Sequence, residues 1–236
     1  MRFLVAAVDA GAPIEAVVVA PRLLKSAVGQ MLARRLRMRG VREIRVGADE
    51  LERLSPSREP QGVGIVVRQR WESLATVAAA HAACWLAIEE VRSPGNLGTL
   101  LRTTEAVGAS GLVALSRSVD PFDPGAIRAT MGALFTRRFA RGSPAELSAW
   151  ARRHEVVVVG ASADAAIDYR QVSYARPVVL VLGGERKGMS PAARRACDVV
   201  VRIPMVGRTD SLNLAVAGSV LLYEVWSQRH PPGGLT

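Results

Sequence analysis

Cysteine is nearly absent from these 236 residues: only Cys84 and Cys197 occur, with no CxxC pair and no paired spacing. That excludes a disulfide framework and a cysteine zinc cluster, and it fits a reducing, cytoplasmic compartment. Histidine is as scarce, and His81, His154 and His230 stand apart with no partner at metal-ligand spacing, so no metal is expected. Aromatic residues make up 5% of the chain and are thinly spread, so no stacking platform for nucleobases announces itself. Long hydrophobic runs are missing too. Asp9 interrupts the apolar start Met1 to Val8 well before signal-peptide length, and no later stretch is long enough to span a bilayer, so a soluble protein is expected.

What is present is an ordinary globular composition, 49% hydrophobic and 22% charged, long enough for one large or two modest domains. The balance of charge is strongly basic. A net charge of +10 and a pI near 11.0 favour a polyanionic partner, RNA or DNA, through phosphate contact and counterion release. The competing explanation is an arginine-rich, GC-biased genome, and charge alone does not choose between them.

Residues 1–70 read as a small α/β unit. A strand is expected over Ala16–Ala20, a helix from Pro21 to about Met38, and strands near Arg42–Val46 and Val63–Arg68. Leu24, Val28, Leu32 and Leu36 recur at every fourth position along one side of that helix, while Arg34, Arg35, Arg37 and Arg39 fall elsewhere. This unit holds thirteen Lys and Arg against seven Asp and Glu, +6 of the chain's +10. The arginine cluster is a solvated helix face or, with a polyanion bound, an accessory grip. The alanine-rich stretch from Trp71 to Ala80 has no Pro or Gly and is expected as a short helical connector, placing a linker at 71–81. From Ala82 to residue 229 strands and helices alternate, with strands near Cys84–Glu89, Gly111–Leu115, Glu155–Val159, Val178–Gly183 and Val199–Ile203. Such alternation implies a mainly parallel sheet covered on both faces, with ligands at the carboxyl ends of the strands. Residues 230–236 read as a tail.

Three motifs fall at those strand ends. The first is Asn96-Leu97-Gly98-Thr99-Leu100-Leu101-Arg102, with Asn96 placed like an N-cap, Arg102 inside the helix and Gly108 ending it. The second is Gly183-Gly184-Glu185-Arg186-Lys187-Gly188-Met189, with Ser190-Pro191 as a helix start. Its glycines let the backbone turn sharply and approach a ligand, yet it is neither a P-loop nor a GxGxxG fingerprint, so a nucleoside triphosphate site is not expected. The third is Ile203-Pro204-Met205-Val206-Gly207-Arg208-Thr209-Asp210-Ser211-Leu212-Asn213, leading into an apolar helix. Asp210 or Ser211 could cap that helix. Asn213 is then an amide just inside it, which competes with the backbone unless it has a specific partner. Ala215, Ala217, Gly218 and Ser219 make a small-residue face.

Each motif alone is a turn or a cap. In this order, at successive strand ends, they resemble the three signature motifs of the SpoU branch of the SPOUT RNA methyltransferases, over roughly residues 82–229. Residues 1–70 are similar to the RNA-binding domain that often precedes that fold, with a lead-in shortened at its start. The resemblance implies a SPOUT-type knotted, mainly parallel sheet with helices on both faces, and a homodimer through the C-terminal knotted region. It implies S-adenosyl-L-methionine as cofactor, held by main-chain groups at Gly183, Ile203, Met205 and Leu212. It implies methylation of a ribose 2'-hydroxyl in structured RNA, ribosomal RNA rather than tRNA. Arg102 is the implied activating residue, with Asn96, Glu185, Ser211 and Asn213 arranging Arg102, the ribose and the phosphate. Arginine effectively stays protonated, so Arg102 either loses a proton in the assembled site or remains a cation while another group or water takes it. The competing functions are a catalytically inactive RNA-binding protein that kept the fold and a methyltransferase acting on RNA bases.

Overall fold

The computed structural model describes residues 1–55, 57, 59–78 and 83–231. His81, part of the expected connector and the last five residues of the expected tail lie outside them. The chain divides into two compact units: Met1–Gln69 with Met131–Thr136, and Arg70–Thr130 with Arg137–Thr236.

The first unit comprises α1 (Arg2–Asp9), β1 (Ile14–Val19), α2 (Ala27–Met38), β2 (Arg42–Arg45), α3 (Ala48–Leu54) and β3 (Val63–Val67). Its sheet has the order β2-β1-β3, with β1 parallel to β2 and antiparallel to β3. The expected helix from Pro21 starts instead at Ala27, because the Ser26 hydroxyl accepts from the Gly29 N–H and ends the preceding turn. The buried stripe is correspondingly different. Gly29, Leu32, Ala33 and Leu36 face inward while Val28 is 46% exposed, since a helix of 3.6 residues per turn rotates a strict every-fourth row off the core. Arg34, Arg35, Arg37 and Arg39 are exposed as expected. Gly62, at φ +78°, is required: a Cβ there would lie 2.2 Å from the Leu24 nitrogen.

The second unit runs β4 (Glu72–Ser73), β5 (Cys84–Ile88), α4 (Pro94–Ala106), β6 (Gly111–Ala114), α5 (Pro124–Thr130), β7 (Arg138–Arg141), α6 (Pro144–Arg153), β8 (Val157–Ala161), β9 (Ile167–Asp168), β10 (Val178–Leu182), α7 (Pro191–Arg195), β11 (Val199–Arg202) and α8 (Leu214–Arg229). Its eight strands are ordered β4-β7-β6-β5-β10-β8-β11-β9, every pair parallel. The expected parallel sheet with helices on both faces is what forms. Residues 71–78 are not the expected helix. Glu72 and Ser73 pair with β7, and Leu74 and Val77 are buried in the second unit's core, so this stretch completes the sheet.

Alternation decides which helices cover which face. Trp85, Ala87, Val113, Leu115, Ala140, Val158, Val179 and Val181 pack with Leu147, Trp150 and Ala151 of α6 and Ala193 of α7. The opposite face carries α4, which packs against α5 and α8. Gly218 makes the last contact possible, since a Cβ there would lie 2.5 Å from Leu100 and 2.7 Å from Leu182. The small-residue face of α8 therefore packs in part on α4, where the Ser219 and Thr103 hydroxyls are 2.9 Å apart.

Candidate active site

Three loops leave the carboxyl edge of the sheet, from β5, β10 and β11. The β5 loop enters α4 at Ser93, whose hydroxyl accepts from the Asn96 N–H, with Pro94 as the first helical residue. Ser93 is thus the cap and Asn96 sits at the third helical position, contrary to the sequence expectation. The displacement frees the Asn96 side chain from capping its own helix.

The β10 loop closes on itself. Gly184 and Gly188 exchange N–H···O bonds of 2.8 and 3.0 Å, with Gly188 at φ +64°. A Cβ at Gly183 would lie 2.1 Å from the Gly188 carbonyl carbon and the Met189 nitrogen, so only glycine fits. The closed loop holds Glu185, Arg186 and Lys187 outward. Ser190 caps α7 as expected, its hydroxyl accepting from Ala193.

The β11 loop ends at Asn213, which is itself the cap of α8: its Oδ1 accepts from Ala215 at 2.8 Å and Val216 at 3.3 Å. Asp210 and Ser211 do not cap that helix, and Asn213 is not inside it. The specific partner that the amide required is nonetheless present. Asn213 Nδ2 donates to Asn96 Oδ1 at 3.2 Å, and Asn96 Nδ2 donates to Glu185 Oε1 at 2.6 Å. Glu185 Oε1 also receives the Ser93 N–H at 3.4 Å. A single hydrogen-bonded chain therefore joins residues 89 and 117 positions apart and ties all three loops together.

The structure does not bring the other two polar candidates into that chain. Arg102 lies two helical turns along α4, exposed, with no hydrogen bond or ion pair among the described residues. Ser211 is exposed and, among the described residues, donates only to Asp210, at 3.3 Å. Glu89 was missed in the sequence. Its N–H donates to Leu182, its carboxylate accepts from Ser190 at 2.8 Å, and its carbonyl accepts from Ser116 at 2.5 Å, so it fastens the β5, β6 and β10 ends together. An acid at the end of an apolar strand was the available signal. Beside it opens a cavity of about 570 Å³ lined by Glu89, Glu90, Ser116, Ser118, Gly184 and Lys187 among others.

Ile203 and Met205 are half-buried just past β11, and Leu212 is 37% exposed. Among the described residues, no main-chain group of Pro204–Leu212 bonds to another main-chain group. Free main-chain donors and acceptors beside exposed apolar side chains suit a ligand with a purine and a polar tail, and so fit an adenosyl cofactor. Among the described residues no three His, Cys, Asp or Glu side chains are placed to hold a metal ion, and no helix is long and apolar enough to cross a membrane.

Polar side chains from three loops, joined at the carboxyl edge of an all-parallel sheet, define an α/β protein of the kind that takes its ligands at that edge. The comparisons specify which. The SpoU rRNA Methylase family model matches residues 83–223, and the chain belongs to that family. It is 34% identical to the 23S rRNA (uridine(2479)-2'-O)-methyltransferase of Streptomyces viridochromogenes, over 79% of this chain and 68% of that enzyme. It is 35% identical to a Bacillus subtilis protein named as a TrmH family tRNA/rRNA methyltransferase, over 63% of this chain and 60% of that one. Among solved structures it is similar to an AdoMet-bound rRNA methyltransferase from Sinorhizobium meliloti, with TM-score 0.85 and 33% identity over 98% of this chain and 85% of that one. The SpoU methyltransferase AviRb from Streptomyces viridochromogenes, in complex with AdoMet, gives TM-score 0.84 and 31% identity over 97% and 88%.

Proposed function

We propose that this chain, an S-adenosylmethionine-dependent RNA methyltransferase, methylates a ribose 2'-hydroxyl in structured ribosomal RNA. The observation that carries the proposal is the Glu185–Asn96–Asn213 chain, which fixes polar groups from all three motifs in one arrangement. The name of the Streptomyces relative supports ribose and ribosomal RNA over the alternatives.

Bound at the Gly183, Ile203, Met205 and Leu212 main chain, the cofactor supplies a methyl group already activated on a sulfonium. The protein has then to align a poorly acidic hydroxyl and remove its proton. Asn96 and Glu185 present fixed acceptors and donors to the ribose, and Ser211 adds a hydroxyl from the β11 loop. Arg102, exposed and without a partner among the described residues, stays a cation that clamps the adjoining phosphate and lowers the barrier at the 2'-hydroxyl, while water or another group takes the hydroxyl proton as the methyl arrives. Residues 1–70 act as the RNA-binding domain, with the exposed arginines of α2 toward phosphate. Two protomers pair through α8, which is apolar around most of its circumference and leaves Val216 48% and Tyr223 50% exposed. The protein works in the cytoplasm.

The test is incubation of purified protein with labelled methyl donor and total bacterial RNA, followed by size separation and nucleoside analysis. Label is expected in a 2'-O-methyl nucleoside from ribosomal RNA, and Arg102→Ala is expected to abolish it while leaving the fold and cofactor binding intact. A folded, active Arg102→Ala protein overturns the role of Arg102. Label in a base overturns the ribose assignment, and cofactor-free RNA binding with no transfer identifies an inactive binder.

A further inference from the structure

We infer that Arg141, laid flat on Trp71 at the carboxyl end of β7, is a stacking and phosphate-binding position for RNA flanking the modified nucleotide. The Arg141 guanidinium carbon lies 3.7 Å from the Trp71 ring centroid, so the cation is face-to-face with the indole. Trp71 is itself held edge-on by Phe122 and Phe139, at centroid distances of 5.6 and 6.1 Å. Arg141 is exposed. Among the described residues it has no carboxylate partner, because the acids around it are engaged elsewhere. Glu72 binds Arg138 through two bonds of 2.9 and 2.6 Å, and Glu146 caps α6 by accepting from Ser143. One guanidinium face is therefore covered by tryptophan, while the side chain is exposed and its N–H groups have no hydrogen-bond partner among the described residues. A planar cation held in that way suits a splayed nucleobase stacked on its outer face and a phosphate at its edge.

Its place in the fold points it at the same substrate. Phe139 and Arg141 share a strand parity that puts them on the sheet face carrying α4 and α5, opposite Ala140, which packs toward α6. β7 is two strands from β5 and three from β10, so the strand ends from which the loops bearing Asn96 and Glu185 depart lie about 10–14 Å from the end of β7 along the carboxyl edge. That is roughly three or four stacked nucleotides. Exposed Arg117, just past β6 and likewise without a partner among the described residues, stands between them.

This inference rests on the RNA methyl-transfer reading and deepens it, and the two are tested by separate readouts. Arg141→Gln and Arg141→Lys are compared with the wild-type full chain for binding of a short mixed-sequence single-stranded RNA by fluorescence anisotropy across a salt series. Methyl transfer to total bacterial RNA is measured alongside. Arg141→Gln is expected to weaken RNA binding roughly tenfold and to lower the salt slope by about 0.7, one phosphate's worth. Its kcat, cofactor affinity and melting temperature are expected to stay at wild-type values. Arg141→Lys keeps the charge but loses the flat stack, and is expected to recover the salt slope but not the affinity. Unchanged RNA binding by Arg141→Gln overturns the inference, as does full recovery by Arg141→Lys, which would reduce the position to a point charge. Neither result touches the methyl-transfer reading, which stands or falls on the nucleoside labelled by wild-type protein.

Discussion

Gly98 is where the packing of the fold and the geometry of the site are most directly coupled. A Cβ at this position would lie 2.4 Å from the Ala129 Cβ and 2.5 Å from the Ala126 carbonyl oxygen of α5. Carbon atoms in contact sit about 3.5–4.0 Å apart, so Gly98→Ala must separate α4 from α5 by about 1 Å. The obstruction is a backbone carbonyl and a methyl group with no rotamer to change. An obstruction that cannot rotate away puts this overpacking in the upper part of its usual range, about 2–3 kcal/mol, offset by about 1 kcal/mol of improved helix propensity. A net loss of about 1–2 kcal/mol corresponds to a fall in Tm of roughly 3–6 °C for a protein of this size. Asn96 is only two residues away, and its 2.6 Å bond to Glu185 would not survive a displacement of that size. Misplacement by about 1 Å can cost about 100-fold in rate. Thermal melting together with single-turnover methyl transfer at saturating RNA reads both effects. A variant that melts like wild type would refute the packing argument. One that melts lower yet transfers methyl at the full rate would show that α4 moves without disturbing the hydrogen-bonded chain, and would sink the coupling.

Asn213→Asp retains the acceptor that caps α8 but sets a second oxygen against the Asn96 oxygen, so the helix cap is expected to survive while kcat falls at least tenfold. Asn213→Ala loses the acceptor and the donor alike, and should also cost about 1 kcal/mol in urea unfolding. The two core tryptophans should differ. The Trp150 ring N–H donates to the buried Val77 carbonyl at 2.8 Å, whereas the Trp85 ring N–H has no partner among the described residues, so Trp150→Phe should destabilise by about 1–3 kcal/mol more than Trp85→Phe. Equal losses would show that the Val77 bond contributes nothing. Burial pushes the Cys84 and Cys197 thiols up to about 12, from 9.0 for an exposed thiol. Between those values the unfolded chain gives up thiol protons that the native state keeps. Stability should therefore be whole below pH 9 and fall as pH rises toward 12, and urea titrations of wild type against Cys84→Ala across that window would show it.

The strands that build the site's floor were legible because an all-parallel sheet buries both faces. Val178–Leu182 reads as an unbroken apolar run, and every residue of it is buried. β7 was not legible. Its sequence, Arg-Phe-Ala-Arg, buries only the middle two residues, and the flanking arginines look like surface. α1 and α3 also escaped notice, being short and without a side-chain N-cap of the Ser or Asn type. Ser93-Pro94 carried the same helix-start signal that Ser190-Pro191 did, yet the neighbouring asparagine drew the cap assignment. The motif residues were found through their order along the chain. Their contacts were not, because a bond between positions 96 and 213 leaves no local trace in sequence.

The polarity of that bond chain follows from chemistry at its two ends. The Asn213 oxygen is committed to the free N–H groups that open α8, so its amide nitrogen is the group left to face Asn96. Asn96 must then turn its oxygen toward Asn213, which leaves its own nitrogen for Glu185. An ionised carboxylate can only accept, and it ends the chain without conflict. A helix terminus in one motif and a carboxylate in another thus fix both amide orientations between them, with no freedom for a flip at either asparagine. An aspartate at either asparagine position would leave two oxygens facing each other, and a glutamine at 185 would remove the acceptor-only end that makes the order unique. The three motifs are therefore one device: each polar residue is required in its type by the residue before it, and the order of donors begins at the α8 backbone.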